Sequence, residues 1–270
     1  EEADAGPDTF EKDDQVGVNA IGVCLKNELI RFNKLTRTIK FTLEELLKAL
    51  KGLVVMSEGI ENMERSMRVQ QVPALWAAVA YPSLKPFDGW MQDYFSRIKS
   101  FEVWLKQAPP SSFWLSSFFF PQGFVSSVKQ TFARKSLVPI DQLDLQTIVT
   151  SKTENEALQG VPPNTGVYVH GLYLNGAGFD AEKGEIRHSR PGEIYSEMPV
   201  VHLLPYDIAA EATGRLEETY TCPCYKTSLR WGTLSTTGHS TNFVMPYQLK
   251  CPPGINAQQL GVALVLQLDM

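Results

Sequence analysis

The sequence predicts an α+β protein, in which a helical subdomain at residues 18–138 precedes a small β subdomain at 139–270. Two patterns predict this class. Apolar residues recur at helical spacing up to about Pro139. Beyond it, short segments rich in Val, Thr, Tyr and Leu are broken by Gly, Pro and Asn, as strands and turns are. Because no helical pattern separates these strands, they favour an antiparallel sandwich or barrel over a parallel sheet.

The first seventeen residues are predicted to form a flexible acidic leader, residues 1–17. They carry seven acidic residues and one lysine, and the rest of the sequence keeps 24 of the 25 basic and 23 of the 30 acidic residues. A segment with so few apolar groups does not build a core of its own. The near-neutral remainder offers no broad basic surface for a phosphate backbone, so no nucleic acid is expected as a partner.

Two amphipathic helices are predicted near the start, at 18–35 and 43–51. The first carries its apolar residues on one face, with lysine, arginine and asparagine on the others. The second is predicted to begin with a capping box, in which Thr42 caps the helix and Glu45 bonds back to it. Gly52 is the predicted stop.

Three further helical segments follow before the β part. Residues 57–68 show a weaker apolar stripe, and Pro73 precedes a short turn, ALWAAVA. Pro121 is well placed as the first residue of a helix over 121–136, because its missing N–H is not needed in the first turn.

The stretch at 86–108 also predicts a helix. Its apolar residues form one stripe at helical spacing: Met91, Tyr94, Phe95, Ile98, Phe101 and Leu105. Asp93, Arg97 and Lys99 are expected off that stripe. The helix is expected to end before Pro109 and Pro110.

Seven segments of the second half are predicted strands. They are LDLQTIVTS, GVYVHGLYL, EIRHS, PVVHLLP, YTCPCYKTS, TNFVMPYQL and GVALVLQLD. The polar segment GTLSTTGHSTNF at 232–243 lies between two of them. It is interpreted as a connection whose Ser, Thr and Asn side chains satisfy loop backbone groups.

Compartment signals favour an intracellular protein. No secretory leader pattern is present. The most apolar run, FWLSSFFF at 113–120, is far shorter than the ~20 residues of a membrane helix, so no membrane is expected as a partner. Four cysteines in 270 residues are too few for a disulfide scaffold, and reduced thiols are expected.

One motif matches a dinucleotide-binding loop by spacing alone. Gly176, Gly178 and Ala181 satisfy G-x-G-x-x-A after a predicted strand. That chemistry needs a helix whose N-terminus faces the pyrophosphate, and the following EKGEIRHSRPG is not helical. A glycine-rich hairpin is the favoured interpretation. The sequence also lacks a Walker A motif, so no nucleotide cofactor is expected.

A zinc site can be drawn from Cys222, Cys224, His239 and Cys251. Structural zinc sites use two ligand pairs of the C-x₂₋₄-C or H-x₃₋₅-H kind, and only one pair occurs here, with one residue between its cysteines. No metal is therefore predicted.

A hydrolase site can be drawn around His239. Ser240 or Cys222 would be the nucleophile, and Asp180 or Asp207 would orient the imidazole. Adjacent strand residues point to opposite faces, however, and no nucleophile elbow is present. No catalytic residue is predicted.

Three other histidines and four tryptophans are interpreted as structural. Each histidine is expected to be a strand residue with one hydrogen-bond partner, and the tryptophans are favoured as core over exposed anchors. The residues are His170, His188, His202, Trp76, Trp90, Trp104 and Trp114.

The order of motifs resembles one known family. KGLVVMS, VPALW, AYPSLKPFDGW, FWLSSFFFPQGF, FARKSLVPID, GVYVHGLYLNGAGFD, MPVVHLLP, CPCYKTSLRWGTLSTTGHSTNF and GVALVLQLD are similar to the C-terminal domain of dynein heavy chains. The resemblance covers residues 18–270, and GTLSTTGHSTNF is most similar to axonemal heavy chains of the inner-arm kind.

The resemblance implies a helical part and a small, incomplete antiparallel β-barrel that lie across an AAA+ ring. It implies a non-catalytic regulatory domain of an axonemal microtubule motor, with its partners in the ring modules of the same polypeptide and microtubules reached only through the full motor. Helices 18–35 and 43–51 are the expected ring contacts. Two alternatives remain open, an independent binding module and a Ser/Cys hydrolase around His239.

Overall fold

A computed structural model describes residues 12–13, 17–209, 218–230, 232 and 241–269. In this part of the chain a helical region is followed by mixed β-sheets, as the sequence predicts. The helices are α1 Ala20–Leu50, α2 Glu58–Arg68, α3 Ala74–Ala77, α4 Phe87–Lys106, α5 Pro121–Ser136 and α6 Glu154–Gln159.

The strands are short, and most lie in the second half. They are β1 Lys12–Asp13, β2 Gly17–Val18, β3 Ser112–Trp114, β4 Leu143–Val149, β5 Val167–His170, β6 Tyr173–Asn175, β7 Gly178–Asp180, β8 Glu185–Arg187, β9 Tyr195–Glu197, β10 Val201–Asp207, β11 Thr219–Tyr225, β12 Phe243–Lys250 and β13 Ala263–Val265. Each of the seven predicted strand segments contains at least part of one of them.

Helix α1 corrects the prediction of two separate helices. It runs unbroken from Ala20 to Leu50. The Thr42 hydroxyl is not an N-cap, because it donates to the Thr38 carbonyl within the helix at 2.8 Å. No glycine or proline interrupts residues 36–42, so the helical ladder continues through them.

The end of α1 is the predicted one. Gly52 has a φ of +72°, which a residue without a Cβ adopts at little cost. Its N–H bonds to the Ala49 carbonyl at 2.9 Å, and the Leu53 N–H bonds to the Lys48 carbonyl at 3.0 Å. This pair of bonds is the Schellman motif, which satisfies the last free carbonyls of the helix.

Helix α4 is confirmed, but its buried face differs from the predicted stripe. Phe95 is 60% exposed, whereas Asp93 and Arg97 are buried. Arg97 Nε donates to Asp93 Oδ2 at 2.7 Å, and its guanidinium lies 3.8 Å from the centre of the Tyr81 ring. The charges are buried because they pair with each other, which a hydrophobic period does not reveal.

The helical core is built on aromatic rings. Trp90 stacks between Tyr81 and Tyr94, with centroid distances of 5.8 Å to each. Trp76 lies 6.0 Å from Trp90 and donates through Nε1 to Thr42 Oγ1 at 2.9 Å. Trp104 is also buried and Trp114 is half-buried. The interpretation of these tryptophans as core residues is therefore confirmed for three of the four.

The strands form two larger sheets. The four-stranded sheet has the order β3-β5-β10-β4, and the seven-stranded sheet has the order β7-β8-β12-β11-β13-β6-β9. Most pairs are antiparallel, but β3–β5, β11–β13 and β12–β8 are parallel. The sheets are therefore mixed, because strands distant in sequence join them from either direction.

The seven-stranded sheet curls into a barrel that does not close. Its edge strands β7 and β9 lie beside each other, and the Phe179 N–H of β7 donates to the Ser196 hydroxyl of β9 at 3.0 Å. No backbone ladder joins these two edges in the described part of the chain. The incomplete barrel implied by the family resemblance is confirmed.

Several short elements were not predicted. Strands β3 and β9 have three residues each, too few to show a period of two. Helix α6 begins with a capping box of Thr153 and Glu156 that lies in an otherwise polar segment. Strand β3 is notable because it leaves the helical half and pairs with β5.

One hydrophobic core extends from the helices into both sheets. A buried carboxylate ties the two helices α1 and α5 together. Glu28 of α1 accepts from the N–H groups of Phe119 and Phe120 at 2.6 and 3.2 Å, immediately before α5 begins. Burial raises the pKa of Glu28, against the opposing effect of these bonds and of Arg31.

Candidate functional site

The glycine motif forms the hairpin favoured by the sequence. Strand β7 and strand β8 pair in antiparallel fashion, with Asp180 opposite Glu185. The Asp180 carboxylate accepts from the N–H groups of Glu182 and Lys183 at 3.1 Å each, within the turn. The Arg187 guanidinium covers Gly178 so closely that a Cβ there would lie 2.1 Å from it. A pyrophosphate has neither the helix N-terminus nor the space that it needs.

The cysteines are free thiols, as expected. Cys222 and Cys224 are fully buried, and Cys251 is partly exposed. Burial raises the pKa of Cys222 to about 12 and that of Cys224 further above its usual range. Such thiols do not ionise near neutral pH, so Cys222 is a poor nucleophile.

The hydrolase and zinc hypotheses both depend on His239, which lies outside the described residues, as does Ser240. The proposed orienting carboxylates have other roles. Asp180 stabilises the hairpin turn, and Asp207 accepts from the Ala209 N–H at 2.9 Å. Within the described ranges, no group of three or more His, Cys, Asp or Glu side chains is arranged to hold a metal ion.

One polar cluster has no counterpart among the sequence predictions. His170, at the end of β5, is 5% exposed, and its Nδ1 lies 2.8 Å from the Ser112 hydroxyl of β3. Its Nε2 lies 3.5 Å from Glu154 Oε1, at the start of α6. Burial lowers the pKa of His170 to about 4, so the imidazole is neutral at pH 7.

This cluster differs from a catalytic triad in its access to solvent. Ser112 is 1% exposed, whereas Glu154 is the open member. A substrate would therefore meet the carboxylate and not the hydroxyl, the reverse of what nucleophilic attack by serine requires. We assign Ser112 the role of orienting the His170 ring.

The other histidines fit the predicted structural role less uniformly. His202 Nε2 lies 2.7 Å from the Thr165 carbonyl, which gives it the single partner expected. His188 follows strand β8 and is exposed. His170 has two neighbours, so the expectation of one partner was wrong for it.

A cavity of about 510 Å³ adjoins the His170 cluster. It is lined by residues 151–155, His170, Gly171, Ala181 and residues 197–200. Glu154 and Glu197 line it on two sides, from helix α6 and strand β9. Burial raises the pKa of Glu154, and the Glu197 carboxylate adds to that effect.

A second surface lies where α1 ends and the backbone turns toward α2. Four apolar side chains there face solvent: Leu50 at 62%, Leu53 at 71%, Val54 at 41% and Val55 at 96% exposure. We name residues 47–55 the α1 tip. Apolar side chains gathered on one surface are a common mark of a contact site.

No helix among the described residues is both long enough and apolar enough to span a bilayer. The helical part, the incomplete barrel and the two surfaces define an α+β domain whose most apolar exposed segment is a helix end. A family comparison names the class further. The family model for the C-terminal domain of dynein heavy chains matches residues 6–266.

This protein therefore belongs to the family of dynein heavy-chain domains found at the C-terminus, and the resemblance stated from the motifs is confirmed. The match starts at residue 6, inside the acidic segment 1–17, which the motif resemblance does not include. It extends through both the helical and the β part.

Relatives with this domain are axonemal heavy chains. Over 251 residues, 93% of the present sequence, the identity is 43% to dynein axonemal heavy chain 1 of Homo sapiens and 43% to dynein axonemal heavy chain 12 of Mus musculus. Dynein axonemal heavy chain 3 of Mus musculus is 41% identical over the same length. The aligned region spans only 6 to 8% of these proteins, which do not distinguish the inner-arm type.

Proposed function

We propose that this protein is the regulatory C-terminal domain of an axonemal dynein heavy chain, which packs on the AAA+ ring of the same polypeptide and modulates ATP-driven movement along microtubules. Its location would be the axoneme of a cilium or flagellum, within the cytoskeleton. The observation that carries the proposal is the α1 tip, in a domain whose relatives are more than ten times its length.

The position of this surface supports contact with a preceding module. Helix α1 is the first long element of the domain, so the polypeptide enters through it. A second exposed set, Val23, Ile30 and Phe41, lies along the opposite side of α1 from its buried residues. Covering these side chains with another protein surface would remove apolar area from water, which stabilises a complex.

Regulation without catalysis requires only differential binding. A domain that packs on two or more modules binds some ring conformations better than others, and that difference shifts the motor cycle. Coupling energies of this kind are typically about 1–3 kcal/mol, or roughly 5- to 150-fold in an equilibrium. Microtubules would be affected only indirectly, through the full motor.

We also propose that this domain has no catalytic activity of its own. It lacks a Walker A motif, and the buried thiol of Cys222 and the buried hydroxyl of Ser112 are inaccessible to a substrate. Turnover of ester or peptide substrates that is lost in His239→Ala would contradict this part of the proposal and revive the hydrolase.

The test uses the complete heavy chain with Leu50→Gln, Leu53→Gln and Val55→Gln combined. These changes keep side-chain size but remove the apolar character of the α1 tip. We expect altered gliding velocity and stall force, together with faster hydrogen exchange at the end of α1. The exchange measurement reports loss of contact even if the motor compensates.

A matched control changes exposed apolar residues of the β part. Val161 and Ile194 are 80% and 63% exposed, so Val161→Gln with Ile194→Gln removes similar surface elsewhere. This control should move like the wild type. Unchanged motility and unchanged exchange in the α1 variant would contradict the proposed contact, and binding of the isolated domain to microtubules would favour an independent binding module.

A further inference from the structure

The cavity beside His170 carries two carboxylates without a matching cation. Glu154 and Glu197 line it, and the charge that acts on Glu154 is that of Glu197. Like charges this close disfavour each other's ionised form unless a cation lies between or beside them. Among the described residues, neither carboxylate forms an ion pair with a lysine or arginine.

The one lysine that lines the cavity is held elsewhere. Lys152 Nζ lies 3.2 Å from the Tyr168 hydroxyl and 4.4 Å from the centre of that ring. Its ammonium group is thus engaged with the aromatic face by a cation–π contact. It leaves the carboxylate side of the cavity open.

The buried imidazole supplies an independent observation. Nδ1 of His170 is fixed by Ser112, which does not line the cavity, whereas Nε2 faces Glu154, which does. Nε2 has no hydrogen bond with the described residues, and Glu154 Oε1 at 3.5 Å is its nearest charged neighbour. A nitrogen that is nine-tenths buried and lacks a bond is satisfied when a ligand supplies one.

These three groups are arranged for a donor-rich cation. If Nδ1–H donates to Ser112, the Nε2 lone pair accepts from the cavity, as both carboxylates do. A guanidinium has five N–H donors in one plane and keeps its charge at all relevant pH values. An ammonium group is a compact point charge and matches a spread of acceptors less well.

We propose that this cavity binds the guanidinium group of an arginine side chain from a partner protein. Resting on the proposed function, that partner is the AAA+ ring of the same heavy chain. The cavity of about 510 Å³ has room for the whole side chain. Its charge-assisted bonds would set the orientation of the domain on the ring, while the α1 tip supplies apolar contact.

The test titrates the 270-residue protein with N-acetyl-L-argininamide and follows the ring nitrogens of ¹⁵N-labelled histidine by NMR. We expect saturable shifts of His170 at millimolar concentration, because one side chain makes few contacts. N-acetyl-L-citrullinamide has nearly the same shape without the charge and should not bind. N-acetyl-L-lysinamide should bind at least about tenfold more weakly.

Two variants assign the binding to the carboxylates. Glu154→Gln and Glu197→Gln should each weaken argininamide binding about tenfold or more, since each removes one charged acceptor. Glu44→Gln removes an exposed charge on the distant helix α1 and should bind like the wild type. The histidine spectra show at the same time that each variant remains folded.

Three results would overturn the proposal: no saturable shift, equal binding of the citrulline compound, or binding that is unaffected by both glutamine variants. Equal binding of the lysine compound would overturn the guanidinium assignment. Because this titration uses the domain without a ring, its failure leaves the α1-tip experiment intact. Binding of argininamide with no effect of the α1 variant would instead contradict the ring as the partner.

Discussion

The helical part and the β part of this domain depend on different interactions. In the helical part, stacked aromatic rings surround a fully buried ion pair, and the side chains fix the geometry. In the β part, backbone ladders carry the structure, and the polypeptide turns where two backbones approach closely. The comparison teaches that charge-removing changes should damage the first part most and backbone changes the second.

The largest effect is expected from Asp93→Ala, at about 3–5 kcal/mol of unfolding free energy. The substitution leaves Arg97 buried without its partner, and two of its nitrogens already lack a hydrogen bond. Urea unfolding measures the loss. Asp93→Leu with Arg97→Met should cost much less, because no uncompensated charge remains.

The exposed pair Glu61–Arg65 of α2 is the matched control for that prediction. Glu61→Ala should change stability very little, because solvent screens the pair and its side chains are free to move. A similar cost for Asp93→Ala and Glu61→Ala would refute the role given to the buried pair.

The next effect, about 2–4 kcal/mol, is expected from Gly166→Ala before strand β5. Gly166 has a φ of +75°, and a Cβ would lie 2.0 Å from the Leu203 carbonyl oxygen. The backbone of the four-stranded sheet must shift to make room. Thermal or urea unfolding measures the difference from the wild type.

Gly184→Ala separates the two causes of this cost. Its φ is +67°, but nothing lies within 4 Å of a new Cβ. It should therefore show only the strain of the left-handed backbone, about 1–2 kcal/mol. Equal losses at both positions would mean that close backbone approach contributes nothing.

A third prediction concerns acid stability and His170. Its folded-state pKa is lowered by burial to about 4, whereas an unfolded histidine titrates near ~6.5. Between these values the unfolded state binds more protons, so stability present above pH ~6.5 is lost as the pH falls toward 4. We expect a loss of about 2 kcal/mol, less than the full shift implies because the Glu154 carboxylate at 3.5 Å opposes it.

Urea unfolding of the wild type and of His170→Asn at pH 7 and pH 4.5 measures this contribution. Asparagine can still bond to Ser112 but does not titrate, so the variant should lose part of the pH dependence. His188→Asn changes an exposed histidine and serves as the control. Identical pH dependence in all three proteins would show that His170 is not the group responsible.

The smallest expected effect is a gain. Leu137, at the end of α5, has a φ of +57° and is 88% exposed, so it bears backbone strain without packing in return. Leu137→Gly should raise stability by roughly 0.5–1 kcal/mol, because glycine adopts this conformation freely. Leu137→Ala is the control, since it removes the side chain and keeps the strain; an equal gain from it would contradict the explanation.

Local signals explain which parts of the fold could be predicted. Helix α5 begins at Pro121 and helix α1 ends before Gly52, because caps and stops act within a few residues. The long strands β10, β11 and β12 were also predicted from composition. Three-residue strands such as β9 escaped, because their only support is a partner strand distant in sequence.

The candidate site could not be predicted in the same way. His170 looked like an ordinary strand residue, since its partner Ser112 is 58 residues away. Glu154 lies in a helix of six residues with no apolar stripe. The residues that sequence spacing did nominate, Asp180 and Asp207, bond to turns instead.

The sequence by itself determined the α+β class, the positions of most helices and the family, because periodicity, caps and motif order are local properties of a polypeptide. Only the tertiary structure decided that α1 is one helix, that Asp93 and Arg97 are buried together, and that the barrel stays open between β7 and β9 in the described residues. Each of these depends on groups that meet through folding, and pairing energies between distant residues leave no period in the sequence.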